Sequence, residues 1–364
     1  MGDSTVANTA VNPDEPYGYL LVHFIEDPDG YAERIYMDIS DGDNPRRWIP
    51  LNGGKPILTS SLGTTGVRDP HIIRNPETGV WTILATDLRV FGGDDGGWGE
   101  WSHHGSTRLI VWQSDDLVHW SEPHTLDMAA KPDGTRLELG MAWACECLWV
   151  PDYYPQGHTG GRGAFVMYWS SKLFADADTE HADERVTDSV LWGVTTDFTQ
   201  ESYEYGGVFI DTGGNSIDTT MIQRNLPDGG TRTYRITKDN SFGNGIWMDA
   251  TDARRWWLPD AEWTRVQTHI GAAYVPDGNP SGVEGPAVFA NHHNCGKPSD
   301  EWYLFVDVIP SIGYRPMTTH DLDQGWRMLD DPEYSLTAHT KHGGVASLTR
   351  ADYERLIAAD GTIG

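Results

Sequence analysis

Cysteines, basic side chains and long apolar runs are all scarce in this 364-residue chain, and each scarcity removes a class of protein. The three cysteines, Cys145, Cys147 and Cys295, are too few and too odd in number for a disulfide framework. Cys145 and Cys147 are one residue apart, too close for an easy bridge within a strand. No Cys-x-x-Cys spacing exists, so a cysteine-based zinc site is not expected. Lys and Arg number 26 against 54 Asp and Glu, a formal net charge of −28. A nucleic-acid partner is therefore not expected, because binding phosphates needs a basic footprint. An anionic membrane surface is disfavoured for the same reason, and no stretch is long and apolar enough to cross a bilayer. Neutral ligands such as sugars stay open, and the acidity itself serves to keep the surface solvated. The opening MGDSTVANTAVNPDEP is polar and lacks the apolar centre of a signal peptide. The expected location is cytoplasmic, or secreted if a leader has been removed.

Aromatic residues and turn formers are plentiful instead: 16 Trp, 15 Tyr, 9 Phe, 41 Gly and 21 Pro. Aromatics recurring along nearly the whole length exclude a disordered chain. Many glycines and prolines fit a fold of short strands and turns.

A repeat organises these residues. An aromatic-rich strand ends in Ser or Thr, then Asp, and a Trp follows in most copies. It occurs as ERIYMDISDGDNPRRW, TRLIVWQSDDLVHW, SVLWGVTTDFT, GIWMDATDARRWW and GYRPMTTHDLDQGW. Upstream of the last four stands a short segment pairing an acid with an apolar run: VRDPHII (Asp69), LWVPDYY (Asp152), SIDTTMI (Asp218) and VEGPAVF (Glu284). Between acid and turn lies a second strand, such as VWTILATD or EWYLFVDV. A fourth, outer strand is expected to carry the Trp. Repeats of this size predict an all-β fold, a five-bladed β-propeller, with no linker dividing residues 1–364. Residues 1–15 are expected to be disordered or extended.

The fifth blade is split. YGYLLVHFI and ERIYMDIS lie at the N-terminus with no acid-bearing strand before them, and HGGVASLT, from His342, lies alone near the C-terminus. Pairing them closes the ring with N- and C-terminal strands and puts His342 where the other blades carry acids. The tail ADYERLIAADG reads as a helix, and the Gly-rich segment 91–106, with two Trp, as a loop over one face. The pairs His103-His104 and His292-His293 read as loop residues rather than metal ligands.

Acids converging on one axis suit glycoside hydrolysis, where one carboxylic acid protonates the leaving oxygen and one carboxylate activates water or attacks the sugar. A third carboxylate would raise the pKa of the acid. Burying several acids without such work would be costly.

In this order the motifs VRDPH, LWVPD (Val150 for Ala), SIDTT and VEGP resemble glycoside hydrolase family 43, whose blades carry Asp-Pro, Trp-Ala-Pro-Asp, Asp, and Glu-(Gly/Ala)-Pro. GSTRLIVWQSDDLVHWSEP and KHGGV add to the likeness, which covers nearly the whole chain. The resemblance implies Asp69 as general base, Glu284 as general acid and Asp218 as the residue tuning the pKa of Glu284, in an inverting reaction. It implies no required cofactor, with a structural calcium ion in the central channel near His342 as an option. Asp152, Arg315, Trp143 and Trp149 are the expected substrate contacts. Among the family's activities, segments 91–106 and 172–188 favour a walled pocket and so an exo-acting α-L-arabinofuranosidase, taking arabinose-containing oligo- or polysaccharides. β-D-Xylosidase and endo-arabinanase are the alternatives within the family. An invertase-like fructosidase would use EDPDG (26–30), RDP (68–70) and Glu146-Cys147, but Glu26 replaces the expected Asn and Pro-Asp-Gly suits a hairpin turn. A non-catalytic sugar-binding propeller would be expected to lack one of the acids.

Overall fold

The computed structural model describes residues 12–26, 33–93, 96–159, 161–292 and 300–364. Residues 1–11, most of EDPDG, His293 and Cys295 lie outside the described residues. The strands run β1 (Pro16–Ile25), β2 (Tyr36–Asp41), β3 (Asn44–Pro50), β4 (Val67–Arg74), β5 (Trp81–Asp87), β6 (Arg108–Ser114), β7 (His124–Asp127), β8 (Trp143–Val150), β9 (Ala164–Lys172) and β10 (Asp188–Thr195). They continue with β11 (Glu204–Ile210), β12 (Ser216–Asn225), β13 (Thr231–Asp239), β14 (Ile246–Thr251), β15 (Thr264–Ile270), β16 (Val283–Ala290), β17 (Trp302–Val308), β18 (Gly313–Thr319), β19 (Arg327–Met328) and β20 (Thr340–Thr349). Helix α1 (Gly97–His104) lies between β5 and β6, and α2 (Arg350–Ala358) follows β20.

These strands form five four-stranded antiparallel sheets: β4-β5-β6-β7, β8-β9-β10-β11, β12-β13-β14-β15, β16-β17-β18-β19, and β20-β1-β2-β3. The innermost strands meet in a closed circuit, β4 to β8 to β12 to β16 to β20 and back to β4. The fold is a five-bladed β-propeller whose last blade joins C-terminal β20 to N-terminal β1, as the split repeat predicts. Closure leaves only short outer edges, which suits an all-β chain.

Five apolar clusters fill the spaces between neighbouring blades. Alternation along a strand builds them: Ile83 and Ala85 of β5 face one neighbour and Leu84 the other. The repeated Ser/Thr-Asp is a turn device. Ser114 Oγ accepts from the backbone N–H groups of Asp116 and Leu117, and Asp116 Oδ1 accepts from those of Val118 and His119. Thr195 and Thr319 repeat the hydroxyl part of the arrangement. The Trp lies on the outer strand only in β3; Trp120, Trp257 and Trp326 stand just before theirs.

Candidate active site

Each innermost strand carries a bulge near its start, seen as a break in pairing with the next strand: between Arg68 and His71, Trp143 and Glu146, Ile217 and Thr220, Glu284 and Ala287, and opposite His23 to Ile25 in the last blade. The extra residue re-aims side chains towards the axis. Four of the five bulges hold a residue at positive φ: Asp69 (47°), Ala144 (49°), Asp218 (50°) and Gly285 (54°). At Gly285 a Cβ would stand 2.7 Å from the His342 Cβ, which explains the glycine of Glu-Gly-Pro.

In the first four blades the residue of the second strand paired just before the bulge stitches its blade to the next. Thr86 Oγ1 accepts from Ala144 N–H at 2.8 Å, and Ser170 Oγ from Asp218 N–H at 3.1 Å. At the same position in the next two blades the stitch is made by a charged residue. Lys238 Nζ donates to the carbonyls of Ser281 (2.9 Å) and Val283 (2.6 Å), and Asp307 pairs with Lys341 Nζ at 2.9 Å. Those two lysines flank Glu284.

Three carboxyl groups thus share the start of the channel, in different electrostatic settings. Burial alone would raise the pKa of Asp69, but the hydrogen bond and charge of His342, then the charge of Arg68, hold it below the ordinary value. His342 Nδ1 lies 3.5 Å from Asp69 Oδ1. Burial lowers the pKa of His342, yet Asp69, Asp218 and Glu146 outweigh it and push it up to about 9. Asp218 is raised by burial and by the charge of Asp69, and its Oδ2 accepts from Gly285 N–H at 3.1 Å. Glu284 is raised to about 8, by burial first and then by the charges of Asp218 and Asp307, against Lys341 and Lys238. One ring therefore holds an ionised carboxylate and a protonated carboxylic acid together at neutral pH.

A wall stands beside the ring. Arg68 is buried and binds Glu26 Oε1 at 2.7 Å and Glu33 Oε1 at 3.0 Å. Removing its charge would leave buried Glu33 without a cationic partner, which costs about 3–5 kcal/mol in comparable buried pairs, whereas Glu26 would keep Lys341 at 3.6 Å. Glu33 also accepts from the N–H groups of Val90 and Phe91 and so holds the segment leading to α1. The expected loop carries this helix. From it Trp98, 56% exposed, leans over Arg68 (5.7 Å to the ring centroid) and meets Trp143 edge-on at 6.0 Å. Behind α1 the segment after β9 is packed by a stack of His104, His181 and Phe174.

The family model described as a probable glycosyl hydrolase domain, related to glycoside hydrolase family 43, matches residues 15–354. The chain belongs to this family 43-related group of glycoside hydrolases. An α-L-arabinofuranosidase of Bifidobacterium longum subsp. longum is 27% identical over 241 residues, 65% of this chain and 20% of that protein. The chain thus spans about one fifth of that relative's length. Among solved structures, a thermostable family-43 glycoside hydrolase matches at 14% identity and TM-score 0.47, covering 79% of this chain and 81% of that one. An exo-1,5-α-L-arabinanase from a bovine ruminal metagenomic library matches at 17% identity and TM-score 0.42, covering 78% of each chain.

Within this glycoside hydrolase the structure brings together Asp69, Asp218, Glu284, His342 and Trp143. It does not bring in Asp152, Trp149 or Arg315. Sequence reading set Asp152 level with Asp69, but the register puts Ala144 there, so the Trp-Ala-x-acid pattern of the second blade is Trp143-Ala144-Cys145-Glu146. Asp152 follows the far end of β8 and pairs with exposed Arg254. Trp149 stands edge-on to Phe165 at 4.8 Å and lines a cavity of about 620 Å³ that none of the three carboxyl groups lines. Arg315, on the third strand of its blade, donates to the carbonyls of Ile312 and Tyr314. Glu284 stands one residue before the bulge position, and Lys341, not His342, occupies it in the last blade. Lys238, Lys341, Asp307 and Trp98 were missed, and Arg68 and Glu146 entered only through the fructosidase motifs RDP and Glu146-Cys147. For Glu146 the signal was available, in the Trp-Ala spacing.

Calcium takes six to eight oxygen ligands. Among the described residues no three His, Cys, Asp or Glu side chains converge as a metal would need, and His342 turns Nδ1 to Asp69. The donors present do not fit such a cage. His103 Nδ1 contacts the Gly99 carbonyl, and His292 Nε2 contacts Asp43.

Proposed function

We propose that this glycoside hydrolase is an exo-acting, inverting α-L-arabinofuranosidase acting on arabinose-containing oligo- or polysaccharides. Asp69 is the general base, Glu284 the general acid, and Asp218 the residue that keeps Glu284 protonated. The observation that carries this reading is the opposite bias of two carboxyl groups in one ring, Asp69 held down and Glu284 raised to about 8. Inversion needs that division of labour. Asp69 takes a proton from a water as its oxygen attacks the anomeric carbon. The bond from that carbon to the leaving oxygen breaks, and Glu284 gives the oxygen its proton. The turnover ends with Asp69 protonated and Glu284 ionised, and exchange with solvent resets both.

Exo action is supported by α1, which sets Trp98 and Trp143 beside the ring as a wall. The sugar is supported by the name of the Bifidobacterium relative. Hydrolysis of the p-nitrophenyl glycosides of α-L-arabinofuranose and β-D-xylopyranose, by wild type and Glu284→Gln, tests the reading. Arabinofuranoside cleavage lost in the variant is expected, with the inverted sugar as first product by NMR. Preference for the xyloside overturns the sugar, and cleavage of linear arabinan alone overturns exo action. Full activity in Glu284→Gln overturns the acid.

A further inference from the structure

Directly past the bulges lies a second set of equivalent positions on the five innermost strands: His71, Glu146, Thr220, Ala287 and Gly343. Glu146 is the carboxylate among them. It is 6% exposed, and the reaction scheme gives it no role. Its contacts reach across blades. Glu146 Oε2 accepts from Thr220 Oγ1 at 2.9 Å and from Tyr168 OH at 3.4 Å, and lies 3.8 Å from His71 Nδ1. Thr220 Oγ1 in turn accepts from Val288 N–H at 3.3 Å. His71 belongs to the strand of Asp69, Thr220 to that of Asp218, and Val288 to that of Glu284.

We propose that Glu146 is a positioning residue for hydrolysis: its side chain bonds the strand of Asp218 through Thr220, reaches that of Glu284 by way of the same hydroxyl, abuts that of Asp69 at His71, and so fixes how the carboxyl groups face one another. The inference rests on the roles given above to those three residues. Separation between the two working carboxyl groups decides whether a water fits between base and sugar. A shift of about 1 Å at such a site costs on the order of 100-fold in rate. Adjacent propeller blades are joined by apolar packing and, before the bulges, by the stitches described above; past the bulges Glu146 adds polar contacts to two further strands. A hydrogen-bonded relay at the axis supplies direction. Burial, then the charge of Asp218, raises Glu146 to about 8, so it joins the ring without adding a full negative charge at neutral pH.

The test uses Glu146→Ala, Glu146→Gln, Thr220→Val, Thr220→Ser and Glu284→Gln, assayed on whichever p-nitrophenyl arabinofuranoside, xyloside or galactoside the wild type turns over fastest. Crystal structures of wild type and Glu146→Ala accompany the assay. Expected for Glu146→Ala is a fall in kcat of ~100-fold with KM within ~2-fold, and a displacement of the Asp218 or Glu284 carboxyl by ~1 Å. Glu146→Gln keeps an acceptor oxygen for both hydroxyls and should retain kcat within ~3-fold. Thr220→Val should reproduce the loss, Thr220→Ser should not, and combining Glu146→Ala with Thr220→Val should add little. Wild-type kcat in Glu146→Ala, equal losses in Ala and Gln, or unmoved carboxyl groups would overturn the proposal. If Glu146→Ala does not fold, the Thr220 pair decides: equal activity in Val and Ser overturns the clasp. Full activity in Glu284→Gln sinks the catalytic roles instead, and the crystallographic comparison then decides the clasp alone.

Discussion

Replacing Asp218 by Asn should move the alkaline limb of the pH profile of kcat/KM towards acid. With a pKa of about 8, Glu284 is roughly 90% protonated at pH 7. At its ordinary value of 4.5 it would be roughly 0.3% protonated, so the environment as a whole is worth about 300-fold in competent acid. Burial is the largest cause and survives the substitution. The charge of Asp218 is the next and does not. Loss at pH 7 should therefore lie between unity and about 300-fold, and shrink as the pH is lowered towards 5. Asn keeps the shape of the side chain and an oxygen for the Gly285 N–H. The assay is kcat/KM from pH 4 to 9 for both proteins. A uniform loss with the limb unmoved would refute the reasoning and leave Asp218 as a substrate contact.

Three further outcomes follow from the same geometry. Glu284→Gln should be more thermostable than wild type at pH 8.5 and nearly equal to it at pH 5. The folded pKa of Glu284 lies above its unfolded 4.5, so wild type loses stability as pH rises from about 4.5 through 8, on the order of a few kcal/mol and about 5 °C or more in Tm. Asp152→Ala should stay within ~2-fold of wild-type kcat/KM, because an exposed pair with Arg254 contributes ~1 kcal/mol at most; a loss of two orders of magnitude would return Asp152 to the site. Trp98→Ala should raise KM for arabino-oligosaccharides ~10-fold with little change in kcat, and Trp98→Phe should recover most of it, as expected for a burying contact rather than a reacting one.

The rhythm of Ser/Thr-Asp turns made the blades legible, since most of these turns are closed by hydroxyls or carboxylates close in sequence. The split fifth blade was legible because two orphan strands needed each other. The second blade was not placed correctly, and the reason is the bulge. An extra residue breaks the period-2 count, so LWVPD and WACE fit the same pattern and only the pairing with β9 separates them. Arg68, Lys341 and Asp307 take their meaning from partners distant in sequence, Glu33 and Glu26 for the first and each other for the last two. Helix α1 opposes local preference. Gly97 and Gly99 disfavour a helix, and the contacts of Trp143 and His181 stabilise it from outside.

Joining β20 to β1 has a consequence for the order of assembly. Within this propeller β1 is made before the other strands and β20 after them, yet β20 lies between β1 and the axis, with Leu20 opposite Ala346. Until β20 is made, β1 keeps one long, apolar edge unpaired, the kind of surface that recruits other chains. The nascent ring is an open arc, and contacts this distant in sequence form slowly. Lys341 and His342 arrive with the closing strand. Until then Asp69 has Arg68 but lacks the imidazole of His342, and Asp307 lacks its lysine, so the protonation pattern of the site is completed in the same event that shuts the arc. The protein gains its shape and its acid–base chemistry together.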